Sequence, residues 1–149
     1  IELPWLVKVF GEIKGFVVRK DKITSLDINY NDSYMLILEH YTGFRGMLAV
    51  NVASRKAVRN LEILGEHIYL SWDGTPEGLK VRDIEKGEES RISLYGDVER
   101  NEQYSSFVVE NAYYSEVSSF FTAVTKGAEP VYGFEEDKEI LSLIDKIES

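Results

Sequence analysis

The chain has 149 residues, a single-domain length that can bury one hydrophobic core. Its net charge of −9 disfavours nucleic acid as a partner, because an acidic surface repels phosphates. The sequence contains no cysteine, which excludes disulfides and thiol chemistry, and no apolar run approaches the roughly 20 residues that span a bilayer. We therefore expect a cytoplasmic globular domain that binds neither nucleic acid nor membranes.

The first predicted element is a short helix over Leu3–Phe10. Pro4 suits the first turn of a helix, where its missing N–H costs nothing, and Gly11 ends the element. We interpret this segment as the last turns of a helix whose beginning is missing.

Strand signals then dominate from Ile13 onward, because β-branched and aromatic residues recur between glycine-containing turns. A first strand is predicted over residues 15–19. Three hairpins follow, with their strands at residues 33–41 and 47–54, 58–64 and 67–72, and 79–84 and 91–94.

The central strands are apolar on both faces. Leu36 and Leu38 point to one side of the second strand, and Met35 and Ile37 point to the other. An antiparallel sheet with one solvated face should instead alternate apolar and polar residues. We therefore expect helices to cover one face and a second subunit to cover the other, which makes a homo-oligomer the expected state.

The tail is predicted to form two helices. The first has a stripe of apolar residues at helical spacing and ends at Lys126 and Gly127, while the second starts near Glu135; the stripe is Tyr113, Val117, Phe120, Phe121 and Val124. The fold class that this order predicts is α+β, with an open, mostly antiparallel sheet of about six strands, in a single domain over residues 1–149.

A complete active site is not evident in the sequence. No G-x-G-x-x-G, P-loop, H-E-x-x-H or G-x-S-x-G motif occurs, so we expect no catalytic, cofactor-binding or metal-binding residue in this chain. For His40 and His67 a structural or solvated role is favoured, because a zinc site needs three or four ligands. The acidic runs at residues 88–89 and 135–137 are typical of solvated turns and helix starts.

The end of the third strand is a better candidate. Asn51 and Ser54 offer an amide and a hydroxyl, and Arg55 and Lys56 offer two cations, at a point where the strand passes into a loop. The two cations could bind a carboxylate or a phosphate. The alternative, a solvated strand end, stays open on the residues alone.

Three stretches, in chain order, resemble the C-terminal part of the Gfo/Idh/MocA oxidoreductases (glucose–fructose oxidoreductase, inositol dehydrogenase and relatives). Each resemblance covers a short motif. They are the front segment Ile1-Glu2-Leu3-x-x-Leu6 with Phe10-Gly11-Glu12, the hairpin Leu61-Glu62-Ile63-Leu64-Gly65-Glu66 with Ile68-x-Leu70-x-Trp72, and the closing helix Tyr113-x-x-Glu116-x-x-x-Phe120-Phe121 with Gly127 and Pro130.

This resemblance implies a function. It implies that an N-terminal Rossmann domain, absent from this chain, binds NAD or NADP. It also implies that the catalytic histidine lies three residues before Glu2, just outside the chain. Glu2 then matches an acidic position near the substrate, and the strand end at Ser54 and Arg55 matches a region that contacts it. The resemblance implies a sugar, a polyol or a sugar derivative as substrate, and no turnover by the isolated chain.

Two alternatives remain. The same sheet could belong to a stand-alone, non-catalytic module that dimerises. A small ligand-binding α+β protein is the other possibility, and it would be a monomer with an interior cavity lined by Phe16, Tyr34, Met35 and Phe120.

Overall fold

The computed structural model describes residues 2–54, 56–94, 110–130 and 132–149. Three helices and seven strands lie in these ranges, and they confirm the α+β class and the predicted element order. The elements are α1 (Glu2–Phe10), β1 (Ile13–Asp21), β2 (Ser33–His40), β3 (Arg45–Asn51), β4 (Leu61–Leu64), β5 (Ile68–Trp72), β6 (Leu79–Asp83), β7 (Glu89–Ile92), α2 (Glu110–Lys126) and α3 (Phe134–Glu148).

The strands form two open antiparallel sheets, one of three strands in the order β1-β2-β3 and one of four in the order β4-β5-β6-β7. The chain correspondingly groups into two compact units, residues 1–54 with 131–149 (unit 1) and residues 55–130 (unit 2). The sequence predicted a single sheet of about six strands. The first ladder ends at Asn51, whose side chain accepts the N–H of Ala53 at 2.5 Å and turns the chain out of the sheet. The single domain over residues 1–149 stays a prediction.

The hydrophobic core of unit 1 lies on one face of its sheet. Leu36 and Leu38 of β2 are 5% and 2% exposed, and Ile147 of α3 packs against them at 4%. Leu3 and Leu6 of α1 pack against the same cluster. Helices therefore cover one face of this sheet, as the sequence predicted.

Helix α1 is held to the β2–β3 hairpin at its C-terminal end. Gly11 has a φ of 85°, a conformation that glycine adopts without a steric cost, and its N–H donates to the carbonyl of Val7 at 2.9 Å. The Thr42 hydroxyl donates to the Phe10 carbonyl at 2.6 Å, and the His40 ring bonds to the Gly11 carbonyl. These bonds satisfy carbonyls that the helix leaves without internal partners.

Helix α3 is held to the sheet at its last turn. The ammonium group of Lys20 donates to the carbonyls of Ile147, at 2.8 Å, and Glu148. A cation at this position also interacts favourably with the helix dipole. The Tyr34 hydroxyl bonds to the Glu148 side chain, and this bond raises the pKa of Tyr34.

Unit 2 contains the four-stranded sheet and α2. Its apolar residues alternate along the strands, so Ile63, Leu70 and Val81 share one face. The indole N–H of Trp72 donates to the Thr75 carbonyl at 2.6 Å, and the Arg59 guanidinium lies over the Trp72 ring at 5.2 Å. The first contact spans the turn after β5, and the second joins the end of β5 to the segment before β4.

Candidate functional site

The end of β3 is fixed by two hydrogen bonds, one from its own side chain and one from a neighbouring loop. Asn51 Oδ1 accepts the Ala53 N–H, and the exposed Asn51 side chain has two further amide N–H donors. The N–H of Val52 donates to the carbonyl of Asp32 at 3.0 Å. The backbone of the polar turn that follows β3 is therefore fixed by hydrogen bonds at two positions.

Asp32 organises this end of the sheet. It is 1% exposed, and its carboxylate accepts the N–H of Ile23 at 2.7 Å, the N–H of Thr24 at 3.0 Å and the Thr24 hydroxyl. These bonds lower the pKa of Asp32, the Thr24 hydroxyl having the largest effect and burial acting in the opposite direction. Asp32 therefore bonds to the β1–β2 loop through its carboxylate and to the residue after β3 through its carbonyl.

Sequence reasoning missed Asp32. Its partners lie eight and nine residues earlier, at the start of a loop that carries no helix or strand periodicity. These separations exceed the two to four residues of the usual local bonds between an Asp side chain and the backbone, so the sequence carried no local signal for this contact.

We expect the stability of unit 1 to decline in acid because of Asp32. A carboxyl whose folded pKa lies below its ordinary value of 3.8 stabilises the fold above that value, and the stabilisation is lost as the pH falls through the lowered pKa. Urea unfolding across an acidic pH series should therefore show a steeper loss for the native chain than for Asp32→Asn, which is already destabilised near neutral pH. Parallel pH dependence in the two proteins would contradict this role.

Of the other predicted site residues, Ser54 belongs to unit 1 and Lys56 to unit 2. Ser54 is exposed at the end of the first segment of unit 1, three residues after Asn51, and Lys56 is exposed in unit 2. Arg55 lies outside the described residues. Asn51 and Ser54 therefore lie in the same unit, at the end of β3 and on the short segment that follows it.

Glu2 begins α1, where its carboxylate is favourably placed in the first turn and accepts the indole N–H of Trp5 at 2.6 Å. By strand alternation Asn51 belongs to the face that carries Met47 and Ala49, whereas α1 packs on the core face. Glu2 and Asn51 thus belong to opposite sides of the same sheet. The predicted roles of all these residues in substrate binding stay predictions.

His40 has a structural position. It is 1% exposed, its Nδ1–H donates to the Gly11 carbonyl at 2.7 Å, and its ring meets the rings of Phe10 and Phe44 edge-on at 5.9 and 5.8 Å. The carbonyl can only accept, so Nδ1 carries the proton. His67 is exposed and lies 3.0 Å from a carboxylate oxygen of Glu85.

The described residues form neither a βαβ unit nor a cluster of metal ligands. Both sheets pair only antiparallel strands, so these residues form no βαβ unit with a phosphate-binding turn. No group of three or more His, Asp or Glu residues that could hold a metal occurs in the described ranges. Within them, no helix has the length and apolar character needed to cross a membrane.

The second face of the unit 1 sheet is apolar and exposed. We call it the open face and define it as Val17, Met35, Ile37, Met47 and Ala49, which adjoin one another in the strand register. Ile37 is 55% exposed and Met47 is 89% exposed.

A charged row borders the open face at one end. Glu39 accepts from the Arg45 guanidinium at 3.3 Å and lies 3.8 Å from the Lys14 ammonium. Arg19 adds a further cation beside Met35, its partner in the register. An apolar centre with a polar rim is the usual anatomy of a protein–protein interface.

No protein-family model matches the chain, and a search of curated proteins finds no significant match. Among solved structures, it is similar to the UDP-N-acetylglucosamine 3-dehydrogenase GnnA from Acidithiobacillus ferrooxidans, with a TM-score of 0.73 and 14% identity over 99% of this chain and 43% of that one. It is also similar to an oxidoreductase from Agrobacterium radiobacter in complex with NAD+, L-tartaric acid and magnesium, with a TM-score of 0.66 and 12% identity over 85% of this chain and 37% of that one. Biliverdin reductase from Synechocystis sp. PCC 6803, in complex with biliverdin and NADP+, gives a TM-score of 0.66 and 12% identity over 97% of this chain and 42% of that one.

These similarities establish the fold. The neighbours are oxidoreductases, and the chain shares the fold of part of each, so the fold that the resemblance implied is confirmed. The chain spans less than half the length of each of these three neighbours.

Proposed function

We propose that this chain is the C-terminal, substrate-side domain of an NAD(P)-dependent oxidoreductase that acts on a sugar, a polyol or a sugar derivative. One observation carries the proposal: 99% of the chain superimposes on 43% of a nucleotide-sugar dehydrogenase. The family motifs in the sequence point the same way. In the complete protein a separate Rossmann domain would bind the nicotinamide cofactor, which accepts or donates the hydride.

The chain itself contributes binding rather than hydride chemistry. Because the described residues form no βαβ unit, we assign no step of hydride transfer to them. The Asn51 amide N–H groups would donate hydrogen bonds to substrate hydroxyls, and the Ser54 hydroxyl lies on the same turn. Arg55 and Lys56 would bind an anionic group of the substrate. Glu2 lies on the opposite side of the unit 1 sheet from Asn51, so it is left outside this proposed site.

Asn51 offers a sharp test in the complete protein. Asn51→Asp retains the oxygen that accepts the Ala53 N–H and removes the amide donors, so the turn should persist while one substrate hydrogen bond is lost. We expect about a tenfold rise in KM for the sugar substrate, the effect of one hydrogen bond, with an unchanged KM for the nicotinamide cofactor. Steady-state kinetics with a panel of sugars and polyols measures both values.

Asn60→Asp is the matched control, because Asn60 is also an exposed asparagine and the substitution makes the same change from amide to carboxylate away from the end of β3. It should leave both KM values unchanged. An Asn51→Asp protein with the native KM for every substrate of the panel would remove Asn51 from the proposed site.

We further propose that the open face pairs with the same face of a second copy. Two such faces can stack at the usual sheet spacing of about 10 Å, with their apolar rows in contact and their charged rows at the rim. The open face alone, without the family fold, would equally favour a non-catalytic dimerisation module. The kinetic test above separates the two functions, because the module would give no turnover.

A further inference from the structure

The sulfur atoms of this protein are concentrated in one place. The chain has no cysteine and two methionines, Met35 and Met47, and both lie on the open face. Their side chains are 65% and 89% exposed. Methionine is more often found in cores, where it fills irregular gaps. Every thioether of the chain is therefore accessible to solvent when the open face is uncovered.

The two methionines are also neighbours. Met35 pairs with Ala49, and Met47 pairs with Ile37, so the methionines are diagonal partners on adjacent strands. Diagonal residues on one face are about 7–8 Å apart, within reach of long side chains. Val17 and Ile37 extend the same apolar surface across the sheet.

We propose that the open face is a peroxide-sensitive surface, and that oxidation of Met35 and Met47 to methionine sulfoxide prevents the pairing of two copies. This inference rests on the proposed pairing through the open face. In each oxidation the thioether sulfur attacks one oxygen of hydrogen peroxide, an S–O bond forms as the O–O bond breaks, and water leaves. The sulfur loses two electrons, which the peroxide gains.

The physical consequence follows from the polarity of the product. A sulfoxide is a strong hydrogen-bond acceptor on a surface that offers apolar neighbours, so covering it removes a hydrated group from water without a partner. Each interface contains four such positions, two from each copy. A thiol-dependent methionine sulfoxide reductase would reverse the change, yielding the thioether, water and a disulfide on the reductase.

The fold should survive the modification. The residues that build the core of unit 1, Leu36 and Leu38, lie on the opposite face of the same strand and contain no sulfur. Oxidation should therefore change self-association while the helices stay docked on the core face.

Analytical ultracentrifugation of the chain before and after treatment with hydrogen peroxide tests the proposal, with mass spectrometry to count one added oxygen per methionine. We expect self-association to weaken at least about tenfold, and methionine sulfoxide reductase to restore it. We also expect sulfoxide formation to slow as protein concentration rises, since pairing would cover both side chains.

The variant Met35→Leu/Met47→Leu is the matched control, because leucine keeps the apolar volume and has no oxidisable sulfur. It should pair like the native chain and keep pairing in peroxide. A native chain that carries both sulfoxides and pairs with unchanged affinity would overturn the redox proposal alone. An untreated chain that stays monomeric at every concentration would overturn the pairing itself and the redox proposal with it.

Discussion

Replacing Leu38 with alanine should destabilise unit 1 by about 3 kcal/mol. Leu38 is 2% exposed and lies on the core face of the sheet. Its partner in the strand register is Phe16 of β1, and helices cover the face to which both belong. The substitution removes buried apolar surface and leaves a cavity that the surrounding side chains fill only in part. Urea unfolding followed by Trp5 fluorescence measures the loss.

The two tryptophans allow this measurement to be confined to unit 1. Trp5 belongs to unit 1 and Trp72 to unit 2, so a Trp72→Phe background leaves one reporter. Leu26→Ala is the control, since Leu26 is 46% exposed in the β1–β2 loop and its truncation should cost less than about 1 kcal/mol. Equal losses for the two variants would mean that the core of unit 1 is not where the structure places it.

Replacing Ile37 with lysine should abolish pairing through the open face. Ile37 lies at the centre of that face, between Val17 and Met47, so a two-fold interface would bury one new ammonium group from each copy without a partner. An unpaired buried charge is costly, and we expect self-association to weaken at least about 100-fold. Light scattering over a concentration series would report a monomer.

Ile23→Lys is the matched control for this prediction. Ile23 is 58% exposed against 55% for Ile37, but it lies in the β1–β2 loop and not on the open face. The control should pair like the native chain, and both variants should unfold at similar urea concentrations. If Ile37→Lys pairs as well as Ile23→Lys, subunits associate through some other surface.

Much of the fold could be predicted because its signals are local. The double-sided apolar pattern of residues 33–41 predicted a strand with two distinct faces, and β2 has Leu36 and Leu38 in the core with Met35 and Ile37 on the open face. The helix ends at Gly11 and Gly127 were predicted correctly for the same reason, since both glycines have positive φ. The division into two sheets was not predicted, because it depends on where the turn at Asn51 ends the first ladder.

The candidate site was harder to predict. Sequence reasoning found Asn51 and Ser54 from their polar character at a strand end, but it missed Asp32, which holds their backbone through the Val52 N–H. That contact joins residues 20 positions apart in the chain, beyond the range of any periodic pattern. The length of β1 was also underestimated. The sequence predicted residues 15–19, whereas pairing with the whole of β2 extends the strand to Ile13–Asp21.

The proposed function divides the work between two domains: this chain would contribute the substrate side, and another domain would bind the cofactor. Titration calorimetry of this chain with NAD(H) and NADP(H), beside the same titration of the complete protein, tests it most directly. We predict cofactor binding by the complete protein and none by this chain. Binding of either cofactor to this chain with a micromolar Kd would contradict the account.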